Sequence, residues 1–166
     1  QSSLADEAGR YSLVDYEVTL TDIRRSIREQ LLTLPERVFD ARPASCWTAG
    51  QVVARLCDTS LRLYLRPARE IVGLPAFGLS LRSPGSYPRL TRAEALDALD
   101  ALDRELLEVL GMTGDDDLLA THDDPALGRV RLRDLLLQMA IYEDEQLGQL
   151  AAFGRNPLAG AGCDAA

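Results

Sequence analysis

The chain has 166 residues and a formal net charge of −8 at pH 7, because 26 acidic residues outnumber 18 basic ones, and lysine is absent. An acidic surface of this kind repels phosphate backbones, so we expect no nucleic-acid partner. The 46% hydrophobic content is that of one globular domain, and no apolar run approaches the roughly 18 residues of a membrane span, so we expect no membrane partner.

The first predicted helix runs from Ser12 to Leu34. Apolar residues recur there at steps of three and four, which indicates one buried helix face. These residues are Tyr16, Leu20, Ile23, Ile27, Leu31 and Leu34. The charged residues between them are expected to face solvent: Asp22, Arg24, Arg25, Arg28 and Glu29.

The second predicted helix begins at Thr48. The sequence TAGQ, from Thr48 to Gln51, is a capping box, in which the threonine hydroxyl accepts from the backbone of Gln51 and the glutamine side chain reaches back. Trp47 precedes the cap and is expected to pack against Val52 as a hydrophobic staple rather than form a ligand platform. Pro67 is expected to kink or stop the helix, since proline has no backbone N–H.

The third predicted helix begins with another capping box, TRAE, from Thr91 to Glu94, and ends at Gly111. Residues 73–90 before it carry several prolines and glycines and are expected to form a long crossover connection. Residues 111–128 are expected to form a second long loop, whose aspartates start turns and cap helices rather than bind calcium. No segment of the chain has a convincing strand pattern.

The fourth predicted helix runs from about Leu132 to Phe153. Its inner face is expected to carry Met139, Tyr142, Gln146 and Leu150. Four such helices, with long connections between the second and third and between the third and fourth, predict an all-α four-helix bundle. We expect a single domain over residues 1–166, with a core at about 12–155 and a flexible tail at 156–166.

The cysteines are Cys46, Cys57 and Cys163. An odd number of cysteines without CxxC spacing argues against a disulfide framework or a zinc knuckle. We therefore expect a reducing, cytoplasmic location. Cys46 and Cys57 are expected to be buried as small apolar residues.

Three segments resemble the DinB-like (damage-inducible, YfiT-type) family of four-helix bundles. CWTAGQVVARLCDTS is similar to the family's second helix, LTRAEALDALDALDRELLEVL to its acidic third helix, and GRVRLRDLLLQMAIYEDEQLGQL to its last helix. The resemblance covers about residues 12–155. It implies a helical bundle and a connection with stress physiology.

In that family, three histidines bind a divalent metal, often zinc or nickel. The residues at the matching positions of this chain are Arg55, eight residues after Trp47, and Tyr142 and Gln146 on the fourth helix. The single histidine, His122, lies in the predicted loop before that helix and matches no ligand position. Arginine repels a cation, and neutral tyrosine and glutamine are poor zinc ligands, so we predict no metal, no cofactor and no catalytic residue.

Arg55 is expected to occupy the space of the lost cation, beside the Tyr142 hydroxyl and the Gln146 amide. A buried arginine needs a carboxylate partner, and the candidates are Asp58 and Glu143. The cluster forms either an anion-binding pocket or a structural polar plug, and a third alternative is that Arg55 extends to solvent at the end of the bundle.

Three functions remain open at this point. The first is a metal-free protein with a binding or structural role in stress physiology. The second, implied by the resemblance, is a thiol-dependent S-transferase in which Arg55 activates the thiol. The third is a pseudo-enzyme that binds a small anionic metabolite in the pocket around Arg55. For partners, Leu61, Leu65 and Leu137 are expected to lie on exposed helix faces, which would permit a homodimer.

Overall fold

A computed structural model describes residues 9–40, 47–76, 78, 82–83 and 86–155, and this part of the chain is mostly helical. The elements in chain order are α1 (Leu13–Thr33), α2 (Glu36–Asp40), α3 (Ala49–Thr59), a π-helical segment (Ser60–Leu65), α4 (Arg66–Ile71), α5 (Arg92–Gly111), a 3₁₀ turn (Asp115–Leu119), β1 (Thr121–Asp124), β2 (Gly128–Arg131) and α6 (Leu132–Arg155). The predictions for Cys46 and for the tail at 156–166 lie outside the described residues. Within the described ranges, no helix has both the length and the apolar character needed to cross a membrane.

Side-chain caps define where α1, α3 and α5 begin. The capping boxes predicted at Thr48 and Thr91 are confirmed, since each threonine hydroxyl accepts from the backbone N–H three residues later and each third residue reaches back to the cap. Ser12 caps α1 in the same way, with Asp15 as the residue that reaches back. Each box satisfies backbone donors that the first helical turn leaves without partners.

The second long helix continues past Pro67 instead of stopping there. The π-helical segment joins α3 to α4, and the Arg66 backbone N–H donates to the Leu61 oxygen, five residues earlier. In an α-helix a proline ring clashes with the carbonyl four residues before it. We attribute the continuation to the wider π turn, which makes room for the proline, so the helix continues to Ile71.

The loop predicted over residues 111–128 is wrong in part, because it contains the first strand of a hairpin. Strands β1 and β2 pair antiparallel, with His122 opposite Val130. The role of an aspartate as a turn former is confirmed at Asp124, whose Oδ2 accepts from the backbone N–H groups of Ala126 at 2.9 Å and Leu127 at 3.0 Å. The strands are only four residues long and mostly polar, which explains why their pattern resembles a loop.

The apolar faces of the long helices meet in one core, with α1 against α5 and α6, and α3 against the same two helices. Leu65 is 0% exposed and belongs to this core, so its predicted place on an exposed face is wrong. Leu61 and Leu137 are partly buried and pack against the same core.

Candidate functional site

Arg55, the first of the three residues that the resemblance matches to ligand positions, lies on α3 with its guanidinium over an aromatic ring. Its Cζ is 4.8 Å from the ring centroid of Trp47. The Trp47 ring in turn lies 5.7 Å from the ring of Tyr87, tilted by 50°. Stacking on an aromatic face stabilises a guanidinium and leaves its N–H donors available for other partners.

The two carboxylates predicted as partners of Arg55 bind other groups. Asp58 accepts from Arg62 Nε at 2.7 Å and from the Tyr87 hydroxyl at 3.0 Å. Burial and this hydrogen bond to Asp58 raise the pKa of Tyr87 to about 12. Glu143 binds Arg24 instead. Within the described part of the chain, no carboxylate forms an ion pair with Arg55.

Tyr142 and Gln146 each carry a buried polar atom that lacks a well-formed hydrogen bond in the part of the chain that the structure describes. The residues are four apart on α6 and therefore share one face of that helix. The Tyr142 hydroxyl and the Gln146 Oε1 are buried, and within the described residues neither forms a hydrogen bond of good geometry, although the Thr59 side chain approaches the Tyr142 hydroxyl. Burial raises the pKa of Tyr142, while an interaction with the Thr59 side chain and the positive charge of Arg55 oppose that rise, so the guanidinium lies close enough to act on this phenol.

The centre of the molecule holds a buried ion pair that the sequence analysis did not predict. Arg24 was expected to face solvent and Glu143 to be a candidate partner of Arg55, yet the two are 1% and 0% exposed. Arg24 donates from Nε to Glu143 Oε2 at 3.0 Å and from Nη2 to Oε1 at 2.8 Å. Two parallel bonds of this kind are the strongest arrangement available to an arginine and a carboxylate.

Two further groups complete this pair, so that four helical stretches share one polar network. Ser60, the first residue of the π-helical segment, donates to Glu143 Oε1 at 2.8 Å. Asp103 on α5 accepts from Arg24 Nη1 at 3.0 Å, and it also accepts from Arg28. Burial alone lowers the pKa of Arg24, but the charges of Glu143 and Asp103 outweigh it and the pKa is raised. The groups of the network satisfy one another, so we interpret the network as a contact that fixes how the helices align, and not as a binding site.

A cleft of about 310 Å³ lies between the second long helix and α5. It is lined by Cys57, Asp58, Leu61, Ala98, Ala101, Leu102 and Glu105. Cys57 was expected to be buried; part of the residue is exposed, although burial raises the pKa of its thiol to about 12. At neutral pH the sulfur therefore stays protonated and is a weak nucleophile.

The donor set at Arg55, Tyr142 and Gln146 does not fit the divalent metal of the family that the chain resembles. A catalytic zinc takes three ligands from imidazole, thiolate or carboxylate. These three positions supply a permanent cation, a phenol whose pKa is raised, and a neutral amide. No chemical step of this chain is therefore assigned to a metal at these positions.

No protein-family model matches the chain, and neither does any curated protein or solved structure. The likeness to DinB-like bundles rests on the three helix motifs of the sequence. Membership of that family, and the activity it implies, are accordingly proposals for this chain.

Proposed function

We propose that the chain is a DinB-like four-helix bundle in which a small-molecule binding site has replaced the family's metal centre. Four long helical stretches support the bundle: α1, the run from α3 to α4, α5 and α6, which pack against one another. The proposed role is binding, without metal-dependent catalysis.

The buried polar atoms of Tyr142 and Gln146, which lack hydrogen bonds of good geometry among the described residues, are the observation that carries this proposal. A buried polar group without a hydrogen bond costs about 1–3 kcal/mol, so a native structure rarely keeps two of them on one helix face without a reason. Both residues stand where the resemblance places metal ligands. A ligand that hydrogen-bonds to both would recover the cost.

The charge and the rings around these atoms indicate the chemical class of the ligand. Arg55 has no carboxylate partner among the described residues and supplies N–H donors, which favours an anion. The Trp47 ring stacks on its guanidinium and contacts the Tyr87 ring, and the ring of Tyr64 lies 6.1 Å from that of Tyr142. We therefore propose a small carboxylic acid with an apolar or aromatic body and one further donor group for Gln146.

Arg55→Ala is expected to weaken the binding of such an acid by roughly tenfold or more, since a hydrogen bond to a charged group contributes about 1.5–3 kcal/mol. The measurement is titration calorimetry with acetate, benzoate and 4-hydroxybenzoate. Arg104→Ala removes an exposed arginine of α5 and serves as the matched control, with unchanged affinity expected. If all three acids fail to bind the parent chain, or bind Arg55→Ala equally well, the anion site is wrong.

A second experiment tests the family geometry itself. The triple variant Arg55→His, Tyr142→His and Gln146→His restores the ligand types that the resemblance implies. We expect it to bind one more equivalent of Zn²⁺ than the parent chain, because three imidazoles around one space make a zinc site. The measurement is elemental analysis after both chains have been stripped with a chelator, reloaded with Zn²⁺ and desalted. An unchanged zinc content would show that the three positions do not share a metal-sized space.

A further inference from the structure

A second cluster of ligand-type side chains lies where the hairpin meets α4, apart from the three replaced positions. Glu70 comes from α4, and His122 and Asp124 come from β1. Because His122 and Asp124 are two residues apart on a strand, their side chains point to the same face. The ligand atoms of the three residues all lie within 4.8 Å of one another.

Arg66 holds the two carboxylates of this cluster from one side. Its Nη2 lies 2.5 Å from Asp124 Oδ1, and its Nη1 lies 3.6 Å from Glu70 Oε1. The second carboxylate oxygen of Asp124 already accepts from two backbone N–H groups. One lone pair of Asp124 Oδ1 and the Oε2 of Glu70 are therefore left for another cation. Arg66 orients both carboxylates as a neighbour outside the proposed ligand set.

The imidazole is the group in the cluster whose hydrogen bonding is incomplete. His122 Nε2 lies 2.5 Å from Glu70 Oε2, but the contact does not have hydrogen-bond geometry. The nitrogen is buried and has no hydrogen-bond partner in the described residues. A buried imidazole nitrogen close to two carboxylates is a common arrangement around a bound transition metal.

We propose that Glu70, His122 and Asp124 bind one divalent transition-metal ion, best matched by Zn²⁺, which ties the hairpin to α4. One imidazole and two carboxylates are ligand types that zinc accepts, and a set of three leaves a further coordination position. The Glu70 and His122 side chains are 33% and 28% exposed, so water can reach that position. This ion is distinct from the metal of the DinB-like family, because none of its ligands stands at a replaced position.

The direct test uses chain purified without a histidine tag and treated with a chelator, titrated with ZnCl₂ in a calorimeter. One equivalent is expected to bind, and His122→Ala and Glu70→Gln are each expected to lose at least roughly tenfold in affinity. Asp123→Asn is the matched control, since Asp123 lies between the two β1 ligands, is exposed and belongs to the other face of the strand. Absence of saturable binding, or equal affinity in His122→Ala, would overturn the proposal.

A second measurement needs no variant and therefore does not depend on how variants fold. His122 is the one histidine of the sequence, so its imidazole proton signals can be assigned directly in an NMR spectrum. Saturating Zn²⁺ is expected to shift them with a stoichiometry of one. Unchanged signals at saturation would place any bound zinc elsewhere and reject the site, whatever the result at Arg55.

Discussion

Glu143→Leu is expected to lower the free energy of unfolding by about 3–5 kcal/mol, because it leaves a buried arginine without its main partner. Arg24 is 1% exposed and would lose the acceptors of its Nε and Nη2 groups. Asp103 satisfies Nη1 and cannot replace both lost bonds. Urea denaturation followed by circular dichroism measures the change.

The double variant Arg24→Met/Glu143→Leu separates the cost of an unpaired charge from the loss of packing. It is expected to be more stable than Glu143→Leu, since well-packed apolar groups often replace a buried ion pair without loss. Asp22→Asn is the matched control on α1, because Asp22 and Arg25 form a pair that is 58% and 64% exposed. We expect the control to change stability by less than about 0.5 kcal/mol. A Glu143→Leu variant as stable as this control would contradict the structural role of the pair.

The pair also shows where sequence reasoning fails on these helices. The buried face of α1 includes Leu20, Arg24 and Ile27, a regular helical spacing. The charge of Arg24 suggested a solvent position, whereas the apolar spacing placed Ile23 on the buried face, where it is partly buried against the core. On α6, Glu143 was predicted as a candidate partner of Arg55 and not of Arg24. Each residue is acceptable in the core only because the other is there, and a pairing across 119 positions leaves no local pattern.

Features that depend on local chemistry were predicted well. The capping boxes at Thr48 and Thr91 are confirmed, because a cap involves residues three apart in sequence. Continuation past Pro67 was left open by the prediction of a kink or a stop, and the π-helical segment before it was not predicted, since no residue type indicates one. The hairpin was missed because its strands are short and polar.

The candidate site was likewise predicted in part: the sequence indicated the set of residues but not their partners. The resemblance identifies Arg55, Tyr142 and Gln146 as a set by their spacing along two helices. The partner of the guanidinium proved to be the Trp47 ring rather than a carboxylate, because Asp58 and Glu143 bind closer cations. Spacing indicates which side chains share a face, whereas the choice among competing partners depends on distances between elements.

The start of α3 packs closely against the backbone just before α5, and this contact requires the absence of a side chain at Gly50. Gly50 is buried in the first turn of α3. A Cβ added to it would lie 2.7 Å from Leu90 N and 2.8 Å from the Leu90 carbonyl carbon. Gln51, the next residue, donates from Nε2 to the Tyr87 backbone oxygen at 3.3 Å. The start of α3 therefore contacts the segment before α5 at both Tyr87 and Leu90. Glycine is a poor helix former, and this close approach is the reason for its presence here.

Gly50→Ala is therefore expected to destabilise the fold by about 1–3 kcal/mol, although alanine favours a helix. The clash is with backbone atoms of Leu90, which cannot rotate away as a side chain would. Gly148→Ala is the matched control, since Gly148 lies exposed within α6 and an added Cβ would meet nothing within 4 Å. It is expected to stabilise the chain by roughly 0.5–1 kcal/mol, so the same substitution should have opposite signs at the two sites. Denaturation curves that show equal stabilisation by both would mean that α3 and the residue before α5 do not approach this closely.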